Sequence, residues 1–164
     1  MTGRYKMTLE DSNPQVKTSG GWVKMSNQFL LSTLEGIAVY SLLLKPRGAR
    51  EPHWHPNANE LNYLTRGNAR ITLLSPGGQI DTFDMAAGDM SFLPQGYLHY
   101  IENIGHDDAH FTIFFDHTAP NDMGMSGCLG AYSNEVLASL FGVSVDYLDR
   151  LPKYQEDLLV VGGG

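Results

Sequence analysis

From Gly21 to Asp116 the chain never runs far without a turn signal. Pro46 to Gly48 and Pro56 to Asn59 come first. Gly67–Asn68, Pro76–Gly77–Gly78, Gly88–Asp89, Pro94 to Gly96 and Gly105 to Asp108 follow closely. This density leaves no room for ordinary helices, because proline removes an amide donor and glycine takes turn conformations at little steric cost. Between the signals lie GWVKMSNQFLL, IAVYSLLLKP, NELNYLTR, ARITLLS, QIDTFDM, MSFLP, HYIENI and AHFTIFF, rich in β-branched and aromatic residues. Such runs suit a pleated, half-buried surface. Short strands with turns every 8–12 residues or so predict an all-β sandwich or barrel, and the lack of alternating helices excludes a doubly wound fold.

The flanks differ. Residues 1–19 are polar and without period, and predict a flexible N-terminal arm; the barrel is placed at 20–117. Residues 118–132 carry no strand signal and read as a lid-like loop. Residues 133–164 read as a helical appendix and tail. There, Ser133 or Asn134 caps NEVLASLFG, which Gly142 ends, and Ser144 caps VDYLDRL ahead of Pro152. The closing VVGGG is expected to fray.

The formal net charge of -7 opposes a phosphate backbone, and no basic patch offsets it, which argues against nucleic-acid binding. No apolar run nears the roughly 20 residues of a membrane-spanning helix, and the N-terminus has no signal-peptide pattern. The single cysteine, Cys128, cannot form an internal disulfide. These features lead us to expect a cytoplasmic protein with no membrane partner.

Chemistry concentrates in two stretches. In Arg50-Glu51-Pro52-His53-Trp54-His55, strand alternation points His53 and His55 to one face, about 6–7 Å apart along the backbone. Glu60 would fall on the wrong face by alternation alone. Pro56 breaks the strand, and a turn through Pro-Asn-Ala-Asn lets Glu60 re-enter facing the histidines. In the second stretch, Pro94 and Gly96 make a tight turn before His99, and a barrel can bring that strand beside the first. Three imidazoles and a carboxylate leave two positions of an octahedron open. Such a nitrogen and oxygen site suits Mn, Fe, Ni, Cu or Zn. Arg50 reads equally as a strand-end charge or as a bidentate carboxylate grip. His106 is expected in solvent; His110 and His117 could each reach a cavity mouth as a general base, but nothing in the sequence singles them out.

His53 to Gly67 resembles the first cupin motif: His-x-His, four residues, Glu, six residues, Gly. Gly88 to Asn103 resembles the second: Gly, five residues, Pro-x-Gly, two residues, His, three residues, Asn. Arg50 to Pro56, Tyr100 to Gly105 and the helix ending Phe141-Gly142-Val143 are similar to the oxalate decarboxylase branch, over about residues 20–155. The resemblance implies a double-stranded β-helix barrel with a short helical appendix. It implies one divalent metal, Mn(II) first, with Fe, Ni or Zn as alternatives, on His53, His55, Glu60 and His99. It implies that Arg50 binds a small carboxylate, and that the protein acts by decarboxylation or oxidative C–C cleavage. The branch also carries a lid with a Ser-Glu-Asn-Ser stretch that delivers a proton. The matching residues 118–127 have no glutamate, and Asp122 is their only acid. That loss opens two alternatives, a non-catalytic module binding a metal or metal-bound anion, and an iron or nickel dioxygenase. Members of the branch carry two such units in tandem. One unit would expose the apolar side of NEVLASLFG, so a homodimer or an assembly of dimers is expected.

Overall fold

The computed structural model describes residues 3–163; the first two residues of the expected arm and the last of the expected tail lie outside them. Strands β1 (Val16–Thr18), β2 (Gly21–Ser26), β3 (Ala38–Leu44), β4 (Ala49–Trp54), β5 (Glu60–Arg66), β6 (Asn68–Leu74), β7 (Ile80–Ala86), β8 (Met90–Leu93), β9 (Leu98–Asn103) and β10 (Ala109–Phe115) make up the barrel. Two antiparallel sheets face each other. One runs β1-β2-β3-β10-β5-β8. The other runs β4-β9-β6-β7 and gains β11 (Met123–Gly124) and β12 (Val160–Val161) on the free side of β4.

Period-two alternation decides which side chains enter the space between the sheets. On β10, Ala109, Phe111, Ile113 and Phe115 are buried, and the residues between them are partly exposed. On β9 the buried set is His99, Ile101 and Asn103, so one strand face carries a ligand candidate, a core residue and a motif asparagine. Leu44, Leu64, Ile71, Leu93, Ile101 and Phe111 fill the centre. Gly67 ends β5 at φ 86°, and a Cβ there would lie 2.6 Å from the Asp108 carbonyl oxygen, so this motif glycine is required by close backbone approach.

Several expectations need correction. GWVKMSNQFLL stops being a strand at Ser26. The Asn27 side chain accepts from Phe29 N at 3.0 Å, and its carbonyl accepts from Leu30 and Leu31, which turns the chain away from the ladder. The polar arm is not loose over its described length. β1 pairs with β2, and the Glu10 carboxylate accepts from Ser41 Oγ at 2.6 Å. Residues 118–132 contain β11 and helix α1 (Met125–Ala131) as well as loop. Both depend on β4, as described below, and no local pattern announces them. Helix α2 (Asn134–Phe141) has Ser133 as its cap, accepting from Val136 N, and Gly142 in the left-handed conformation at its end. Helix α3 (Val145–Leu148) stops short of Pro152. Val136, Leu140 and Phe141 remain exposed on α2. The tail does not fray at Val160–Val161, which pair with Arg50 and Ala49. No helix among the described residues is long and apolar enough to cross a membrane.

Candidate metal centre

β4 and β9 place His53 directly opposite His99. His55 lies just past β4. Glu60 opens β5 in the other sheet, opposite Leu93 and Phe115. The turn between them is clamped from both sides. Asp116 accepts from Asn59 N at 2.7 Å and from Asn59 Nδ2 at 2.6 Å, while Gly96 N donates to the His55 carbonyl at 3.0 Å. Glu60 therefore re-enters facing the histidines. One donor atom from each of His53, His55, Glu60 and His99 lies within 4.8 Å of all the others, and all four residues are buried.

Each imidazole has one nitrogen committed. His53 Nδ1 lies 2.7 Å from the Glu51 carbonyl, His55 Nδ1 2.7 Å from that of Asn121, and His99 Nδ1 2.8 Å from that of Tyr97. A carbonyl only accepts, so each Nδ1 carries a proton, which leaves Nε2 as the atom able to offer a lone pair to an ion. Glu60 Oε2 lies 2.9 Å from His55 Nε2 and 3.3 Å from His99 Nε2. Neither contact has hydrogen-bond alignment, which leaves His55 Nε2, His99 Nε2 and Glu60 Oε1 buried without a partner. Unmatched polar atoms converging in a dry interior are costly, and a divalent ion relieves that cost. The residues therefore fit the ion, and the cluster is a metal-binding site.

Electrostatics couple the four groups closely. Burial drives His53 well below the ordinary histidine range, helped by Arg50 and the other two imidazoles, so it stays neutral. Burial alone would raise Glu60, but the imidazoles hold it well below the ordinary carboxylate range. Burial would likewise lower His55, and the Glu60 carboxylate reverses the direction.

His53, His55 and Glu60 of the cluster form one wall of a small cavity. Val23, Met25, Leu42, Ile113 and Phe115 make it apolar, while Tyr40, Arg50 and Asp122 make it polar at one side. Phe115 packs edge-on against both His55 and Tyr40, with ring centroids 4.7 Å apart in each pair. Burial raises the Tyr40 phenol to about 12, with Asp122 adding to the rise, so it remains a neutral hydroxyl. Sequence reasoning missed Tyr40, because a tyrosine in a strand of aliphatics carries no distinguishing spacing.

Arg50 enters the cavity for a reason alternation does not supply. Arg50 pairs with Ile101 and His53 with His99, so three steps on β4 oppose two on β9. This bulge at Glu51–Pro52 turns residues an odd number apart to the same side. The Arg50 guanidinium donates to the Leu159 carbonyl at 3.1 Å and forms an ion pair with Asp122. Asp122 Oδ2 also lies 3.9 Å from His55 Nδ1. His110 and His117 do not line the cavity. His110 sits against Ser41 and Trp22 with Glu10 nearby, and His117 turns to the backbone of Ala119.

Fold and site together define a metal-binding β-barrel with its ion held between two sheets. The chain belongs to the cupin family, whose profile matches residues 7–147. It is 33% identical over 146 residues to an oxalate decarboxylase of Arthroderma benhamiae, covering 88% of this chain and 34% of that protein. It is 31% identical over 140 residues to the oxalate decarboxylase OxdC of Bacillus subtilis, covering 84% and 36%. A rice germin-like protein 5-1 (Oryza sativa subsp. japonica) is 29% identical over 125 residues, covering 74% and 56%. A solved structure of the Bacillus subtilis oxalate decarboxylase superposes with a TM-score of 0.88 at 28% identity, over 95% of this chain and 40% of that one. The chain thus spans little more than a third of the decarboxylases it matches.

Proposed function

We propose that this chain is a Mn(II)-dependent cupin acting on a small carboxylate, by decarboxylation or oxidative C–C cleavage. One observation carries the reading. Arg50 and Asp122 face each other in the cavity that His53, His55 and Glu60 of the ligand cluster line. His53, His55, Glu60 and His99 would hold the ion. The choice of manganese is supported by a Bacillus subtilis oxalate decarboxylase structure described by its Mn(II) centres. When bound, the ion supplies Lewis-acid polarisation of a carboxylate oxygen.

The chain's own residues supply the rest. Arg50 offers a planar fork of donors matched to a carboxylate, and a ligand carboxylate takes the place of Asp122 on that fork when the loop shifts. Apolar walls keep water from the bond being broken. In decarboxylation the C–C bond breaks, carbon dioxide leaves, and the remaining carbon takes up a proton. Asp122, once released from Arg50 and protonated from solvent, is the acid placed to deliver it, with one methylene less reach than a glutamate.

A second reading, metal-bound anion binding without turnover, is favoured by the Arg50–Asp122 pair itself, in which each group occupies the other. Purified protein loaded with Mn and offered oxalate or small keto acids, with and without oxygen, separates the two. Carbon dioxide release supports the enzyme. Calorimetric binding without release supports the second reading, and neither binding nor release removes both.

A further inference from the structure

Glu51 is 3% exposed and is absent from the cavity lining, although its neighbour Arg50 is part of it. A buried carboxylate is costly unless donors match its oxygens. Here Oε2 accepts from Ser126 N at 3.0 Å, and Oε1 accepts from Leu159 N at 2.7 Å. Both donors are backbone amides, 75 and 108 residues further along the chain. Ser126 lies in the first turn of α1, where an amide has no partner within the helix. Leu159 is held at φ 57°, a conformation that leucine adopts only where its surroundings impose it.

Each grip leads back to Arg50. Leu159, gripped through its N–H, turns its carbonyl to accept from Glu51 N at 2.9 Å and from Arg50 Nη1. Ser126, gripped by the other oxygen, follows β11, whose Gly124 pairs with His53 and which Asp122 directly precedes. A Cβ on Gly124 would lie 2.7 Å from Glu51 Oε1 and 2.8 Å from Asp157 Oδ1, so the loop backbone packs closely on both carboxylates. We propose that Glu51 is a positioning residue. Its carboxylate clamps the Asp122 loop and Leu159 to β4, and so sets both partners of Arg50. It acts through those residues and touches no reacting atom. Glu51 matters to function only if Arg50 and Asp122 are the working pair proposed above, whereas its grip on loop and tail is measurable without any substrate.

Glu51→Gln keeps the shape but turns an NH2 group toward one of the two amide donors. In the metal-loaded full chain, hydrogen exchange over residues 122–128 and 158–161 is expected to quicken by about tenfold or more. Exchange in β6 and the bound metal per chain should not change. With oxalate as substrate, KM should rise in Glu51→Gln. Unchanged protection in both segments overturns the proposal, as does a uniform loss that includes β6, which would mark a merely structural role. If Glu51→Gln does not fold, Gly124→Ala, compared with Asp157→Asn as the control for the second carboxylate it meets, presses on Glu51 from the loop side. The same local pattern is expected there, and its absence is equally fatal. A wild-type protein that turns over no carboxylate sinks the enzyme reading alone, because the exchange comparison still decides this one.

Discussion

Asn103→Ala should lower stability sharply and leave metal content alone. Asn103 is 4% exposed at the end of β9. Its Nδ2 donates to the Leu44 carbonyl at 2.9 Å and to the Asp107 carbonyl at 2.8 Å, and its Oδ1 accepts from Gly105 N at 2.8 Å. Each bond contributes about 1 kcal/mol net, so the side chain is worth about 3 kcal/mol. Leu44 is fully buried, so water cannot replace the lost donor at its carbonyl. For a chain of this size each kcal/mol moves the midpoint by about 2–4 °C, which gives a drop of about 6–12 °C. His99 lies four residues back along the strand, about 13 Å at the usual rise, too far to feel the change directly. Thermal melts followed by circular dichroism, with elemental analysis of the same samples, test both halves. A drop below about 2 °C would show that the three bonds are not worth what their burial implies. Loss of metal without loss of stability would place Asn103 in the ion's surroundings instead.

Three further outcomes are expected. Arg50→Lys keeps the charge but loses the fork, so KM for oxalate should rise by about tenfold or more with metal content unchanged, and an unaltered KM would remove Arg50 from substrate binding. Stripping the metal should lower the melting midpoint. At a hundredfold excess over Kd the ion contributes about 2.7 kcal/mol, or about 5–10 °C, and identical midpoints for stripped and loaded protein would contradict the site. Bonds from Asn59 hold Asp116 below the ordinary carboxylate range. A depressed folded value stabilises above the unfolded one and fades as pH falls through the folded one, so Asp116→Asn should be less stable than wild type near neutrality. Urea titrations should find the gap closing in acid, and a gap independent of pH would refute the assignment.

The metal ligands were legible because each depends on local geometry that spacing records. His53 and His55 sit two apart on one strand, Glu60 follows a proline break, and His99 follows a Pro-x-Gly turn. The surrounding frame was not. Arg50 stayed ambiguous because a bulge leaves no mark in the residue pattern, and only the pairing with β9 reveals the extra residue. Nothing in the sequence marked Glu51, since its two donors lie far along the chain. β11 and β12, two residues each, have no propensity strong enough to announce them, and exist because β4 offers an unpaired edge.

That edge has a consequence during biosynthesis. β4 leaves the ribosome well before its outer partners, since 109 residues separate Arg50 from Leu159. At ordinary translation rates the interval is roughly 5–20 s. For that time the nascent barrel presents an open ladder to neighbouring chains. Pro52, exposed and without an amide proton, and the charges of Arg50 and Glu51 are the features that keep such an edge from recruiting a foreign strand. An Arg50 or Glu51 variant lacking its charge should therefore burden the cell with aggregated nascent chains even where the finished molecule is sound.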